Sequence, residues 1–212
     1  MFNFEKAWAA LLKNPMAGAA LIGVLLILFL LLHLRKIKLD ARLITQIGMV
    51  LALATLIKLF RIYHLPQGGS VTLGSMVPIL LMAVTYGPEI GFLTGFLFGV
   101  ISFILSPYVL HPVQVLFDYP LPFMALGLAG YFRNRVLLGT AVAIAGRFVC
   151  HFISGVAFFA SYAPKGMSPA LYSLMVNGIF LGIEGAICLV IMGLMPLSQL
   201  KFFLTRKPAN IE

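Results

Sequence analysis

Long apolar segments make up most of this sequence and argue against a soluble fold. Seven of them lie near residues 16–34, 43–60, 72–86, 91–106, 113–132, 137–160 and 171–196. A helix needs about 20 apolar residues to cross the hydrocarbon core of a bilayer, and most of the segments approach that length. Only 10% of the 212 residues are charged, whereas a soluble domain has about a quarter. The sequence therefore predicts an all-α integral membrane protein with seven spans.

The Lys and Arg residues predict the orientation of these spans. They cluster within residues 35–42, 133–135 and 201–207, in loops that alternate with weakly charged ones. Because Lys and Arg accumulate in cytoplasmic loops, we expect a cytoplasmic C-terminus and, with seven spans, an outer N-terminus. The net charge of +9 thus reflects membrane topology and does not indicate nucleic-acid binding. The outer loops would be 61–71, 106–114 and 159–170, which are rich in Tyr, His and Pro.

Sequence motifs of common enzymes are missing. The chain has no GxxxxGK[ST], HExxH or GxSxG motif, so it cannot hydrolyse ATP through a P-loop. Its two cysteines, Cys150 and Cys188, stand in apolar segments and are predicted to be buried and unpaired. We therefore expect no catalytic residues, no metal site and no resident cofactor.

Asp118 is the most informative polar residue, because it lies within an apolar segment. A carboxylate is costly inside a membrane and indicates function unless it has a structural partner. Its partner could be Arg147 or His151, or it could be a cationic ligand. An ion pair that only holds helices together explains the residue equally well.

Glu184 is the other acidic residue in an apolar segment. It follows Asn177 by seven residues, so both lie on one face of a predicted helix. Glu184 could pair with Arg147, could line the deeper part of a pocket, or could serve only in helix packing, which we favour.

Small residues recur at helical spacing in two segments. Gly91, Gly95 and Gly99 are four residues apart, as in helices that pack closely within lipid. Gly48 and Ala52 repeat this spacing in the second segment, where they could pack internally or form a groove for a partner helix.

Three stretches resemble the thiamine-specific S component of energy-coupling-factor (ECF) vitamin transporters. They are LPQGGSVTLGSMVPILL, YVLHPVQVLFDYPLPF and HFISGVAFFASYAPKGMSPALYSLMVNG, within a resemblance that covers roughly residues 42–200. The resemblance implies a six-helix bundle in the bacterial plasma membrane that binds thiamine near its outer face. It also implies three partners, namely a transmembrane coupling subunit and two cytoplasmic ATPases. Residues 1–40 would add an extra transmembrane helix, residues 41–200 would form the bundle, and residues 201–212 would be a cytoplasmic tail.

The resemblance also implies the residues that bind. Those matching the family's thiamine site are Tyr108, Asp118, Tyr119, His151, Gly155, Phe159, Tyr172 and Asn177. Gly48 and Ala52 match the small pair that docks onto the coupling subunit. Three positions depart from the family pattern: Asp118 replaces Glu, Phe159 replaces a stacking Trp, and Gly69 replaces a lid Trp.

The chemistry of thiamine agrees with these residue types independently. Its thiazolium cation favours a desolvated carboxylate and aromatic faces, and its aminopyrimidine favours a flat aromatic and groups that bind its edge. The stretch from His151 to Gly178 would form one wall of the pocket and a closing loop. Pro164 would stiffen that loop and Gly166 would permit its turn.

Other functions also fit parts of this pattern. One is an S component for another vitamin or for a thiamine precursor such as hydroxymethylpyrimidine, which would not need an ionised Asp118. Another is an intramembrane enzyme that uses Asp118 and His151 as an acid–base pair. A purely structural membrane scaffold is a weaker possibility, because it leaves the outer-loop motifs without a purpose.

Overall fold

The computed structural model describes residues 39–64 and 70–206, together with single positions at 16, 20, 23, 25–27 and 37. Most of the predicted first span, and Gly69, therefore lie outside the described residues. The described positions from 16 to 27 are helical. Among them Gly23 is buried next to Phe117, and Leu26 and Ile27 pack against the side-chain cluster that contains Phe117. The described part of the N-terminal extension thus contacts the bundle.

The described chain is a bundle of helices with one small hairpin. The elements are α1 Ala41–Leu59, β1 Arg61–His64, β2 Ser70–Thr72, α2 Val77–Tyr86, α3 Pro88–Leu105, α4 Pro112–Asp118, α5 Pro120–Met124, a 3-10 helix Ala125–Phe132, α6 Val136–Phe158, a 3-10 turn Ala160–Tyr162, α7 Pro169–Leu194 and α8 Leu197–Thr205. Five described segments are long and apolar enough to cross a membrane: α1, α3, Pro112–Phe132, α6 and α7. The shorter α2 is also apolar. The predicted all-α membrane fold is confirmed, with the β1–β2 hairpin as its exception.

Helix ends coincide with capping residues and prolines. Asp40 accepts a hydrogen bond from the Leu43 amide at 2.7 Å, and Ser168 accepts one from the Leu171 amide at 3.2 Å. Proline occupies the first turn of α2 to α5 and of α7, where its missing amide hydrogen has no cost. Most of the described helices therefore begin at a capping residue or a proline.

The fifth apolar segment is interrupted, as its prolines predict. α4 ends at Asp118, and Tyr119 adopts φ −121° and ψ −81° before α5 begins at Pro120. Proline lacks the amide hydrogen that would continue the helix and clashes with the preceding turn. The break places the Asp118 carboxyl at a helix end inside the bundle.

The third apolar segment is shorter than predicted, because Thr72 belongs to the hairpin and residues 73–76 form a turn. Strand β1 pairs with β2 in antiparallel register, with Arg61 opposite Thr72. Gly74 then takes φ +90°, and the Ser75 amide donates to Thr72 Oγ1 at 3.0 Å. This turn cannot continue a helix, so α2 begins at Val77 rather than near residue 72.

The glycine face of α3 packs directly onto neighbouring backbone. A Cβ added at Gly91 would overlap Ala83 and Gly127, and one at Gly95 would overlap the Phe123 carbonyl. At Gly99 it would meet the backbone of residues 119–120. The predicted close packing through small residues is therefore present between α3 and the α5–3-10 segment.

Replacing Gly95 by Val is expected to destabilise the bundle by at least about 1–3 kcal/mol, because backbone atoms of Phe123 and Met124 cannot move aside like a flexible side chain. Thermal unfolding of the purified protein in detergent measures the effect. Gly178→Val is the matched control, since a Cβ there meets nothing within 4 Å. Equal unfolding midpoints for G95V and the wild type would show that the two helices are not in tight contact.

Helix α8 docks against the ends of α1 and α2. The Leu204 carbonyl accepts hydrogen bonds from Gln46 Nε2 at 2.9 Å and from Tyr86 Oη at 2.6 Å. Arg42 also donates to the carbonyls of Phe203, Leu204 and Arg206. The helix runs across residue 200, where we expected the bundle to pass into a tail, and none of its residues is buried.

Candidate ligand-binding site

A cavity of about 290 Å³ lies between the hairpin, the loop after α3, and helices α1, α4, α6 and α7. It is lined by all eight residues that the sequence analysis assigned to binding: Tyr108, Asp118, Tyr119, His151, Gly155, Phe159, Tyr172 and Asn177. These residues come from positions up to 69 apart in the chain, and the fold brings them to one place.

Asp118 meets polar neighbours on the cavity wall. Gln114 Nε2 donates to Asp118 Oδ2 at 2.5 Å, and His151 Nδ1 lies 3.5 Å from Asp118 Oδ1. Of the two protein partners considered for this carboxylate, the structure thus selects His151 rather than Arg147. The Nε2 atom of His151 has no hydrogen-bond partner among the described residues. Both oxygens of Asp118 thus have protein neighbours, while one ring nitrogen of His151 is not engaged by the described residues.

Aromatic side chains form the rim. The Tyr108 and Phe159 rings stack with centroids 6.1 Å apart and planes 18° apart. The hydroxyls of Tyr108 and Tyr162 share a hydrogen bond of 2.8 Å, and this bond, with burial, raises the pKa of Tyr108 to about 12. Tyr119 Oη accepts from the Tyr108 amide and donates to the Ser106 carbonyl, both at 2.8 Å. The Tyr108–Tyr162 hydrogen bond thus joins the loop after α3 to the loop after α6.

The opposite wall depends on close contact between α6 and α7. Gly155 faces Ser173 so closely that a Cβ there would overlap the Ser173 side chain. Ser173 Oγ donates to the Phe152 carbonyl at 2.9 Å, and Asn177 Nδ2 donates to Ser173 Oγ at 3.1 Å and to the His151 carbonyl at 3.3 Å. These bonds orient the Asn177 amide at the cavity.

A buried ion pair lies deeper in the cavity. Arg147 Nη1 and Glu184 Oε2 are 3.4 Å apart, and Glu184 Oε1 accepts from Thr72 Oγ1 at 2.6 Å. The Arg147 guanidinium also sits 4.3 Å from the centroid of the Phe123 ring. Glu184 therefore pairs with Arg147 and lines the cavity, so it does more than the helix packing that we favoured.

The sequence analysis did not identify Lys58 as a cavity residue. Its ammonium lies 5.5 Å and 5.2 Å from the ring centroids of Phe98 and Phe123. Arg61 lines the cavity too and donates to Ser106 Oγ at 2.9 Å. The sequence did contain a sign of this role, because a lysine inside an apolar segment is as unusual in a membrane helix as an aspartate. The cavity thus has a carboxylate wall at Asp118 and cations on the side of α1.

Gly48 and Ala52 do not line the cavity. They lie on an exposed face of α1 together with Ile44, Met49 and Leu53. A Cβ at Gly48 would meet nothing within 4 Å, so among the described residues this face has no packing partner. The two helix-packing alternatives for this pair, internal packing and a groove for a partner helix, both stay predictions.

Two further expectations concern cysteines and metals. Cys150 and Cys188 are buried and unpaired, as predicted. No group of three or more His, Cys, Asp or Glu in the part of the chain that the structure describes is arranged to hold a metal ion.

Comparison with known proteins gives a consistent result. The family described as Thiamine transporter protein (Thia_YuaJ) matches residues 44–204. The thiamine transporter ThiT of Bacillus subtilis is 33% identical over 148 residues, which cover 62% of this chain and 77% of that protein. The thiamine transporter ThiT of Lacticaseibacillus paracasei is 32% identical over 123 residues, which cover 49% of this chain and 61% of that protein.

A solved structure of ThiT from Listeria monocytogenes has the same fold. It superposes with a TM-score of 0.63 at 20% identity and covers 73% of this chain and 94% of that chain. The family match extends over more than half of the sequence and includes every residue predicted to bind or dock. The resemblance drawn from the three sequence motifs is thereby confirmed. The chain is a multi-pass membrane protein that belongs to the thiamine transporter protein family.

Proposed function

We propose that this protein binds thiamine in the cavity around Asp118 and acts as the substrate-capture subunit of a thiamine uptake system. One observation carries the proposal: eight residues from separate segments converge on a single cavity that combines a carboxylate, aromatic rings and an oriented amide. Membership of the thiamine transporter protein family supports the same ligand.

The thiazolium ring would sit against Asp118. The carboxylate is mostly buried, with 17% of its side chain exposed, so a cation beside it is screened less than at a surface. Gln114 and His151 hold the carboxylate in place through contacts at 2.5 Å and 3.5 Å. Tyr119 lies next to it and would offer an aromatic face to the cation.

The aminopyrimidine would lie between Phe159 and the polar wall of α6 and α7. Tyr108 already covers one face of the Phe159 ring, so the ligand would stack on the opposite face. His151 and Asn177 would then bind the nitrogen atoms at the edge of the ring. Phe159 offers less stacking area than the Trp expected from the family and has no N–H donor.

The loops after α3 and α6 would act as the lid. They meet through the Tyr108–Tyr162 hydrogen bond of 2.8 Å, and this contact must open for thiamine to enter or leave. Gly166 adopts φ +87°, so the turn predicted for this loop needs a glycine. Pro164 restricts the same loop.

Replacing Tyr162 by Phe is expected to speed thiamine release by about 2–10-fold, because the lid loses one hydrogen bond worth about 0.5–1.5 kcal/mol. Dissociation of radiolabelled thiamine from the purified protein measures the rate. Tyr63→Phe is the control, since Tyr63 is exposed and does not line the cavity. An unchanged release rate in Y162F would mean that this contact does not hold the lid.

Energy for uptake would come from partners. The chain has no P-loop, so a transmembrane coupling subunit and two cytoplasmic ATPases would supply ATP hydrolysis. The exposed face of α1 that contains Gly48 and Ala52 would receive the coupling subunit, because small residues permit close approach of a partner helix. The C-terminus would be cytoplasmic under the positive-inside rule.

Isothermal titration of the detergent-solubilised protein tests the proposal. Thiamine is compared with the isolated aminopyrimidine alcohol, which lacks the thiazolium cation. We expect tight one-to-one binding of thiamine and much weaker binding of the fragment. Absence of thiamine binding by folded, ligand-free protein would refute the function, and equal affinities would refute the role of the cation.

A further inference from the structure

A second concave site lies at the end of the bundle opposite the ligand cavity, where α2 ends and α6 begins. We call it the basic notch, and its volume is about 740 Å³. It is lined by Val84, Tyr131, Phe132, Arg133, Asn134, Arg135 and Lys201. Nothing in the proposed thiamine function uses these residues.

The charge of the basic notch is positive and is not neutralised by its own lining. Three of its residues are cations and none is acidic. Glu89 in the first turn of α3 does not line it, although it lies close enough to act electrostatically on Tyr131 at its edge. Burial and, to a smaller degree, repulsion from the nearby Arg133 guanidinium lower the pKa of Lys201. An anion in the notch would relieve this repulsion.

Backbone carbonyls hold Arg133 in place, whereas Arg135 and Lys201 keep N–H donors for an anion. The Arg133 guanidinium donates to the carbonyls of Val84 and Thr85 at the end of α2. Lys201 Nζ donates to the Arg133 carbonyl at 3.1 Å. The Arg135 side chain is exposed and forms no hydrogen bond or ion pair with the described residues.

The first turn of α6 adds to the positive potential. This helix of 23 residues has no side-chain cap and no acidic residue in its first turn. Its unpaired amide hydrogens therefore reinforce the charge of Arg135 and Lys201.

An apolar surface continues from the notch along the start of α6. Leu137 and Leu138 are 51% and 45% exposed, and Tyr131 at the notch is 55% exposed. In a membrane-spanning helix such residues face acyl chains just below the headgroups. The basic notch fits the headgroup of an anionic phospholipid and the apolar strip fits its acyl chains. Inorganic phosphate has no apolar part that would contact the strip.

We propose that the basic notch binds the headgroup of an anionic phospholipid. Arg135 and Lys201 contact the phosphate, the first turn of α6 faces it, and the acyl chains run along Leu137 and Leu138. Basic pockets between membrane helices recognise anionic headgroups in this way.

Native mass spectrometry of the full chain released from nanodiscs tests this proposal. The nanodiscs contain phosphatidylcholine alone or mixed with phosphatidylglycerol. We expect the wild type to retain phosphatidylglycerol in preference to phosphatidylcholine. Retention should fall about fivefold for each cation removed in Arg135→Ala and in Arg135→Ala/Lys201→Gln. Lys165→Gln, in the lid loop at the other end of the bundle, should retain the lipid like the wild type.

Other outcomes would overturn the proposal. No preference for phosphatidylglycerol in the wild type, or equal retention by the double variant, would exclude an anionic lipid site. If inorganic phosphate displaces the lipid at millimolar concentration, the notch binds free phosphate instead. The unfolding temperature of every variant in detergent shows whether it is folded, independently of thiamine binding, so a failure here is separable from a failure of the proposed function.

Discussion

Replacing Asp118 by Asn is expected to weaken thiamine binding by about 2–5 kcal/mol, the range found when one partner of a buried charge pair is removed. The amide has nearly the same shape as the carboxylate and can still contact Gln114 and His151. It carries no charge to balance the thiazolium, which would then be left in a partly buried site. Isothermal titration with thiamine gives the affinity directly.

Two comparisons make this result specific. Asp118→Glu restores the charge with one more methylene and should recover most of the lost affinity. Glu89→Gln removes an acidic residue that does not line the cavity and should bind thiamine like the wild type. The neutral aminopyrimidine alcohol should lose little affinity in D118N. Unchanged thiamine affinity in D118N would show that the carboxylate does not meet the cation.

Replacing Arg147 by Met is expected to destabilise the folded protein by about 3–5 kcal/mol, because it leaves the Glu184 carboxylate buried without its partner. Glu184 is 1% exposed and lies 3.4 Å from Arg147. Met preserves much of the apolar length of the Arg side chain, so the change mainly removes the charge. Thermal unfolding in detergent without thiamine measures the loss of stability.

The double variant Arg147→Met/Glu184→Gln separates charge from packing. The Gln side chain is neutral and still accepts the hydrogen bond from Thr72, so part of the stability should return. Arg61→Met is the control, because Arg61 is an exposed cation with one hydrogen bond and should matter little. If R147M unfolds at the same temperature as the wild type, the ion pair does not support the fold.

The two carboxylates of the cavity therefore have different expected roles. Asp118 lies against Gln114 and His151, and neither carries a permanent positive charge, so it can still attract a cation. Glu184 is already matched by Arg147 and by the hydroxyl of Thr72. A cation that enters the cavity should consequently settle at Asp118.

Much of the fold was predictable because hydropathy is a local property. Each apolar segment needs a helix to satisfy its backbone groups in lipid, whatever its neighbours are. Pro120 marks the break between α4 and α5, and the spacing of Gly91, Gly95 and Gly99 marks a packing face. The exceptions were the hairpin and the late start of α2, where the turn at Gly74 overrode the apolar composition.

Hydropathy was enough to predict the class of the protein and the approximate membrane segments, and three motifs were enough to predict the residues that line one cavity. Which charges meet, Asp118 with His151 and Glu184 with Arg147, depends on the packing of the helices. That packing also brought Lys58 to the cavity and docked α8 onto α1. These contacts join residues that are 33 to 158 positions apart. Their distances depend on how the helices pack, and hydropathy, which is read within one segment, carries no information about that packing.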